Sequence, residues 1–169
     1  MRRLSLVQRI FALAFFVWAV DFLTKNWALA NLSSTPRKIL GEFLQLTLLK
    51  NPGAAFSFAT EFTIIFTAIS TAVMIFILKF SPRITSPGWS YVAGLVLGGV
   101  LGNLSDRFFR EPGFLYGHVI DWIELPNWPI FNVADSSITI AAVIAFTLTV
   151  KNISPVERGR ANIGEDVNG

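Results

Sequence analysis

The two carboxylates Asp121 and Asp135 are the side chains of this sequence best suited to chemistry. Asp135 lies in FNVADSSI, residues 131–138, just before an apolar run from Thr139 to Val150. A carboxylate at the edge of hydrocarbon is costly, and ionisable groups there mark function by default. Asn132 is placed to cap the helix that starts here, and Asp135 in its first turn gains from the positive end of the helix dipole. Asp121 lacks that benefit. Leu125-Pro126-Asn127-Trp128-Pro129 prevents one continuous helix between them, so a loop can bring Asp121 back over the start of the next segment. Two carboxylates a few ångströms apart do not both ionise comfortably, so one holds a proton near neutral pH. The titration then belongs to the pair. One member can draw a proton from water while the other donates to a carbonyl oxygen, which is the arrangement of an aspartic protease.

Other polar residues sort to the same level. Asp21 and Lys25 lie four apart near the end of a first apolar segment and share a helix face. Asn51 and Gly53 belong to an Asn-Pro-Gly turn of type II character. Asn103, Asp106 and Arg107 close a third segment, with Asn103 and Arg107 on one face. Each has a blander reading as well. Asp21 and Lys25 can simply pin two helices, Asn51-Pro52-Gly53 can be only a turn, and Arg107 can snorkel to the interface. His118 reads as a loop residue, and Trp122 and Trp128 fit an interfacial aromatic belt. Gly94, Gly98 and Gly102 recur every four residues, the spacing that lets membrane helices approach closely.

Composition removes competing chemistries. The chain has 169 residues and no cysteine, which excludes disulfides, thiolate zinc sites and a cysteine nucleophile. A single histidine, His118, excludes an HExxH metal site. No GxSxG elbow is present. A Ser–Lys dyad is conceivable, but Lys25 already has Asp21 beside it. The net charge of +3 is scattered, so no nucleic-acid partner is expected. No cofactor and no metal are expected either.

The elements that must position these groups are membrane helices. Apolar residues make up 53% and charged residues only 15%, with a mean hydropathy of +0.56, so the bilayer is the expected solvent. Four spans are expected in a single domain, at about 10–30, 62–80, 89–109 and 133–150. Arg2, Arg3 and the apolar stretch to Ala30 also mimic a cleavable signal peptide. Asp21 and Lys25 argue against that, because they extend the segment to spanning length. Eight basic residues fall on one side (Arg2, Arg3, Arg9, Lys79, Arg83, Lys151, Arg158 and Arg160). Five fall on the other (Arg37, Lys38, Lys50, Arg107 and Arg110), so both termini are expected in the cytoplasm. Leu44, Leu46 and Leu48 alternate with polar residues as a strand does, and Ala54–Phe58 is the expected returning strand. Together they suggest a small β platform on the outer face of the membrane. Residues 151–169 read as a polar, disordered tail.

DFLTK (21–25), NPGAAFS (51–57), GGVLGNLSDR (98–107), HVID (118–121) and FNVADSSI (131–138) resemble, in order and spacing, the bacterial lipoprotein signal peptidases, or signal peptidase II. The resemblance runs from about residue 10 to 150. It implies four transmembrane helices with a β cradle on the periplasmic face of the inner membrane. It also implies an aspartyl endopeptidase that cuts prolipoproteins just before a diacylglyceryl-modified cysteine. By position, Asp121 and Asp135 match the catalytic dyad. Asn51, Gly53, Asn103, Arg107, Val119 and Asn132 match substrate-binding positions, and Asp21 with Lys25 a structural pair. Trp122 and Lys50 depart from the usual pattern. Expected partners are the lipid-modified prolipoprotein and membrane lipids, and a monomer suffices. The rival classes are a small proton-coupled transporter using Asp21, Asp121 and Asp135 as a relay, and a structural membrane scaffold.

Overall fold

A computed structural model describes residues 5–53 and 59–156. Its helices are α1 (Leu6–Asn31), α2 (Ala59–Phe80), α3 (Pro87–Phe109) and α4 (Val133–Val150). Its strands are β1 (Arg37–Leu40), β2 (Leu44–Asn51) and β3 (Val119–Glu124). The expected returning strand at 54–58 and the tail beyond residue 156 lie outside the described residues.

α1 starts at a capping box, in which Ser5 Oγ accepts from Gln8 N and Gln8 Oε1 accepts from Ser5 N. Its buried residues Ile10, Ala14, Val17, Asp21, Lys25 and Ala28 recur every three or four positions and form one face. The opposite face is as apolar, with Phe11, Phe15, Phe16, Phe22 and Leu23 all exposed. A helix that is hydrophobic all round belongs in lipid. α4 follows the same plan, with small residues Ala134, Ser137 and Ala141 inward and Ile140, Val143 and Phe146 outward.

α3 is the central helix. A Cβ on Gly98 would stand 2.6 Å from Val17 Cβ and 2.8 Å from Ala14 O, so α1 packs directly on the α3 backbone. On its other side, a Cβ on Gly99 would stand 2.6 Å from Ala134 O of α4. The glycine stripe therefore serves close helix packing.

The four helices run alternately up and down. Arg9 lies 5.0 Å from the ring of Tyr91, and Trp89 Nε1 donates to Ile153 O at 2.7 Å. The start of α1, the start of α3 and the segment after α4 thus meet at one end. The end of α1, the end of α3 and the start of α4 meet at the other.

Among the described residues, three helical segments are long and apolar enough to cross a membrane: Leu6–Asn31, Thr63–Arg83 and Val133–Val150. The expected count of four is not reached on composition, because α3 is not among them. The reason is its surroundings. α3 packs against protein on several sides, so glycine, Ser90, Asp106 and Arg107 are buried where a lipid-facing helix would carry large apolar side chains.

The sheet has the order β1-β2-β3, antiparallel throughout. The alternation of Leu44, Leu46 and Leu48 marks β2, whose neighbours are β1 and β3. Asp121 was expected on a loop and instead sits in β3, with Asn51 paired to Val119 and Leu49 to Asp121. The signal was available: Val119 to Glu124 is a short run rich in β-branched and aromatic residues between Gly117 and Pro126. A bridge between Ile123 and Phe131 then folds the chain back, with hydrogen bonds of 2.9 and 3.0 Å in both directions. That fold-back sets the first turn of α4 beside β3.

Candidate active site

Asp121 and Asp135 line the same cavity, of about 230 Å³. Period-2 alternation along β3 sends Val119 and Asp121 to one face, and both border the cavity. Asn51 and Gly53 border it from the end of β2, Asn103 and Arg107 from α3, and Phe66 and Ser70 from α2. A larger cavity, about 410 Å³, lies at the opposite end of the bundle. Its lining, including Phe76, Phe80, Trp89 and Val96, carries no acid–base group.

Three amides connect the carboxylates. Asn132, fully buried, is the N-cap of α4: its Oδ1 accepts from Asp135 N at 2.9 Å, and Asp135 Oδ2 accepts from Asn132 N at 3.2 Å. The same Asn132 donates from Nδ2 to Asp121 Oδ1 at 2.6 Å. Asn51 Nδ2 donates to Asp121 Oδ2 at 2.8 Å, and Asn103 Nδ2 donates to Asp135 Oδ1 at 2.9 Å. Each carboxylate is therefore held on both oxygens, which fixes its rotamer before any substrate enters.

Behind the amides lies a buried ionic cluster. Lys25 Nζ, with no exposure, is 2.7 Å from Asp21 Oδ2 and 2.8 Å from Asp106 Oδ2, and donates to Asn103 Oδ1 at 2.8 Å. That last bond turns the oxygen of Asn103 towards Lys25 and its NH₂ towards Asp135. Asp21 Oδ1 accepts from Ala134 N at 2.9 Å, which ties α1 to the first turn of α4. Asp106 also accepts from Ile120 N at 3.2 Å and pairs with Arg110. The pairing of Asp21 with Lys25 thus extends into a hub joining three helices and β3.

Arg107 acts as a clasp. Its guanidinium donates to Pro52 O at 3.1 Å, to Gly117 O at 3.0 Å and more distantly to Asn51 O. This joins the turn after β2 to the start of β3. The turn itself closes through Gly53 N donating to Asn51 Oδ1 at 2.8 Å. Gly53 has φ +114°, and a Cβ there would stand 3.1 Å from the Arg107 guanidinium, so only glycine suits the position.

Burial pushes the Asp121 carboxyl up to about 6. The hydrogen bonds from Asn51 and Asn132 and the charge of Lys25 oppose the rise, and the neighbouring Asp135 adds to it. Asp121 therefore titrates close to neutral pH. Two carboxyls on one cavity, with one proton between them, can activate water and protonate a carbonyl oxygen in the same step.

Comparison with known proteins bears on this arrangement. The sequence profile of the family described as Signal peptidase (SPase) II matches residues 13–151, which include all five motifs. The chain belongs to the signal peptidase II family. A lipoprotein signal peptidase of Rhodococcus jostii (strain RHA1) is 44% identical over 147 residues, covering 86% of this chain and 74% of that protein. A second, from Mycolicibacterium smegmatis, is 42% identical over 166 residues, covering 98% of this chain and 69% of its own. A solved bacterial membrane enzyme superposes with a TM-score of 0.74 at 27% identity, over 85% of this chain and 93% of that one. As a signal peptidase II family member, the chain is a bacterial membrane peptidase, and the transporter and scaffold readings give way.

Of the residues singled out in sequence, Asn51, Gly53, Asn103, Arg107, Val119, Asp121 and Asp135 border the cavity. Asn132 bridges the two carboxylates, and Asp21 and Lys25 lie behind Asn103. Phe66 and Ser70 on α2 and the hub role of Asp106 were missed. A lone serine in an apolar helix carries little signal. Thr63, Thr67 and Thr71, four apart on α2, carry more: Thr63 donates to Pro52 O and Thr67 to Leu115 O at 3.1 Å, which docks both loops at the dyad end onto that helix.

Proposed function

We propose that this peptidase removes the signal peptide from diacylglyceryl-modified prolipoproteins, cutting just before the lipidated cysteine with Asp121 and Asp135 as the catalytic pair. The observation that carries the reading is the shared cavity, with Asn132 holding both carboxylates. Family membership supports the prolipoprotein substrate.

The reaction is general acid–base hydrolysis without a covalent intermediate. Burial biases the shared proton towards Asp121. The other carboxylate takes a proton from water as the water oxygen bonds to the scissile carbonyl carbon, and the first carboxyl protonates the carbonyl oxygen. The C–N bond then breaks, the amine leaves with the proton taken from water, and the carboxylic acid returns one proton to the dyad. Asn51, Gly53, Val119 and Asn103 line the groove that holds the substrate. Arg107 supports that groove through its carbonyl contacts, and Asp21 with Lys25 is a structural pair.

The up-down run of four helices supports α3 as a fourth crossing, because three crossings would leave the start of α1 and the segment after α4 on opposite sides, whereas they meet at one end. Arg9, Lys79, Arg83 and Lys151 lie at the end away from the dyad, which supports cytoplasmic termini and a periplasmic site in the inner membrane. The enzyme needs no second copy of itself and works in contact with membrane lipids.

Incubation with a diacylated precursor peptide tests the proposal. Asp121→Asn and Asp135→Asn are each expected to lose roughly 10²–10⁴-fold in turnover while remaining folded in the membrane. Near-normal cleavage by either variant would remove that residue from the pair.

A further inference from the structure

β2 and β3 have a second face. Lys50 pairs with Ile120 in the register next to Asn51 and Val119, so the strand pleat sends the two pairs to opposite sides. Asn51, Val119 and Asp121 line the dyad cavity, whereas Lys50, His118 and Ile120 line a separate cavity of about 290 Å³. Its other walls are Leu29 of α1 and the end of α3, from Phe109 to Glu111. Lys50 was set apart in the sequence as a departure from the usual pattern, and His118 had no role. The peptidase chemistry uses neither.

The cavity gathers three nitrogen bases, Lys50, Arg110 and His118, against one acid, the exposed Glu111. Among the described residues Lys50 makes no ion pair. Arg110 is anchored by Nε to Asp106 and by Nη2 to Asn26 Oδ1 at 3.3 Å, which leaves the remaining donors of its fork for another acceptor. The loop closes as His118 N donates to Glu111 O at 3.0 Å. Leu29 is two residues from the end of α1 and Phe109 is the last residue of α3, so the cavity opens where both helices leave the bundle. Phe109, which lines the cavity, is 85% exposed, which gives apolar surface beside the basic mouth.

We propose that this cavity binds the headgroup phosphate of an anionic phospholipid. A phosphate oxygen accepts charge-assisted hydrogen bonds from lysine and from the arginine fork. A basic recess at helix ends, flanked by the exposed ring of Phe109, matches a lipid lying with its phosphate at the interface and its chains along the helices. The resting site stays net basic around His118: burial pushes its imidazole down, and the cations Arg107 and Lys50 push it further. An anion bound among Lys50, Arg110 and His118 reverses that push, while Glu111 at the rim opposes the anion.

His118 is the only histidine, so one side-chain signal from ¹⁵N-histidine-labelled full-length protein reports the site. In neutral detergent micelles it is expected to titrate below the ordinary histidine value. Added phosphatidylglycerol should raise it, and phosphatidylcholine by much less. In Lys50→Gln the lipid-free value rises and the extra shift with phosphatidylglycerol disappears. An equal shift in Lys50→Gln is that of any negatively charged surface and overturns the site. So does the absence of a difference between the two lipids. Full reproduction of the shift by inorganic phosphate at the same concentration overturns the lipid as occupant.

Discussion

Asn132 donates to Asp121 Oδ1 at 2.6 Å while its own side-chain oxygen caps the backbone N–H of Asp135. One amide therefore ends a strand's chemistry and begins a helix. Asn132→Ala should lose the cap, worth about 1 kcal/mol, together with the bridge. Asn132→Ser keeps a capping oxygen but does not span to Asp121. Thermal unfolding in detergent should place both variants below wild type, with Asn132→Ser the less destabilised because it keeps the cap. Peptide cleavage should be slowed in both, by roughly 10-fold or more in kcat.

The raised carboxyl of Asp121 gives a pH signature with a definite sign. Its folded value of about 6 exceeds the ordinary 3.8, so the folded state binds the extra proton between them. The stability it contributes is fully present below about pH 4 and is lost as pH rises through about 6. The unfolding temperature of Asp121→Asn relative to wild type should therefore increase from pH 4 to pH 7. In wild type, kcat/KM should fall as pH rises through about 6, as the proton needed for the carbonyl oxygen leaves the free enzyme. A kcat/KM flat across that range, with chemistry rate-limiting, would contradict a shared proton.

Lys25 balances two buried carboxylates, Asp21 and Asp106. Lys25→Met leaves them facing each other without a cation, and removing one partner from a buried ion pair costs about 3–5 kcal/mol. The double variant Lys25→Met/Asp21→Asn should recover part of that loss. Chemical unfolding of Lys25→Met, Asp21→Asn and the double variant in the same detergent measures the recovery. An additive outcome would mean that Lys25 and Asp21 do not act as a pair.

Gly98 sits where α1 lies on the α3 backbone, with Val17 Cβ and Ala14 O already within 2.8 Å of where its Cβ would stand. Gly98→Ala must push α1 outwards, at a cost of about 1–3 kcal/mol. Because α1 carries Lys25, the displacement should also slow cleavage. Gly113→Ala is the packing control, since nothing lies within 4 Å of its Cβ position, although its φ of +148° adds local strain. Any loss of cleavage should be the smaller of the two in Gly113→Ala.

Some of this architecture is written locally. Asp21 and Lys25 are one helical turn apart, and Asn132 and Asp135 have the spacing of a capping box, so helix geometry alone brings each pair together. The glycines at 94, 98 and 102 point to close packing for the same reason. β3 is harder to read from the sequence, because a six-residue strand carrying Asp121 is defined by its pairing with the distant β2. Residues 89–109 have the length of a span and a glycine stripe for packing, but only the folded bundle shows that their neighbours are mostly protein. Phe66 and Ser70 could not be found, because a residue on α2 becomes part of a cavity only when α2 closes over it.

The amino-acid sequence determined which segments become helices, which residues cap and pair within them, and, through five ordered motifs, which family the chain belongs to. Tertiary structure decided the rest. Asn51 meets Asp121 across seventy positions, Lys25 meets Asn103 across seventy-eight, and Asn103 meets Asp135 across thirty-two. The physical reason is reach. Helical hydrogen bonds and side-chain neighbours lie within four residues, so local sequence specifies them. Contacts between strands and between helices depend on which distant surfaces pack, and that is fixed only when the whole chain has folded.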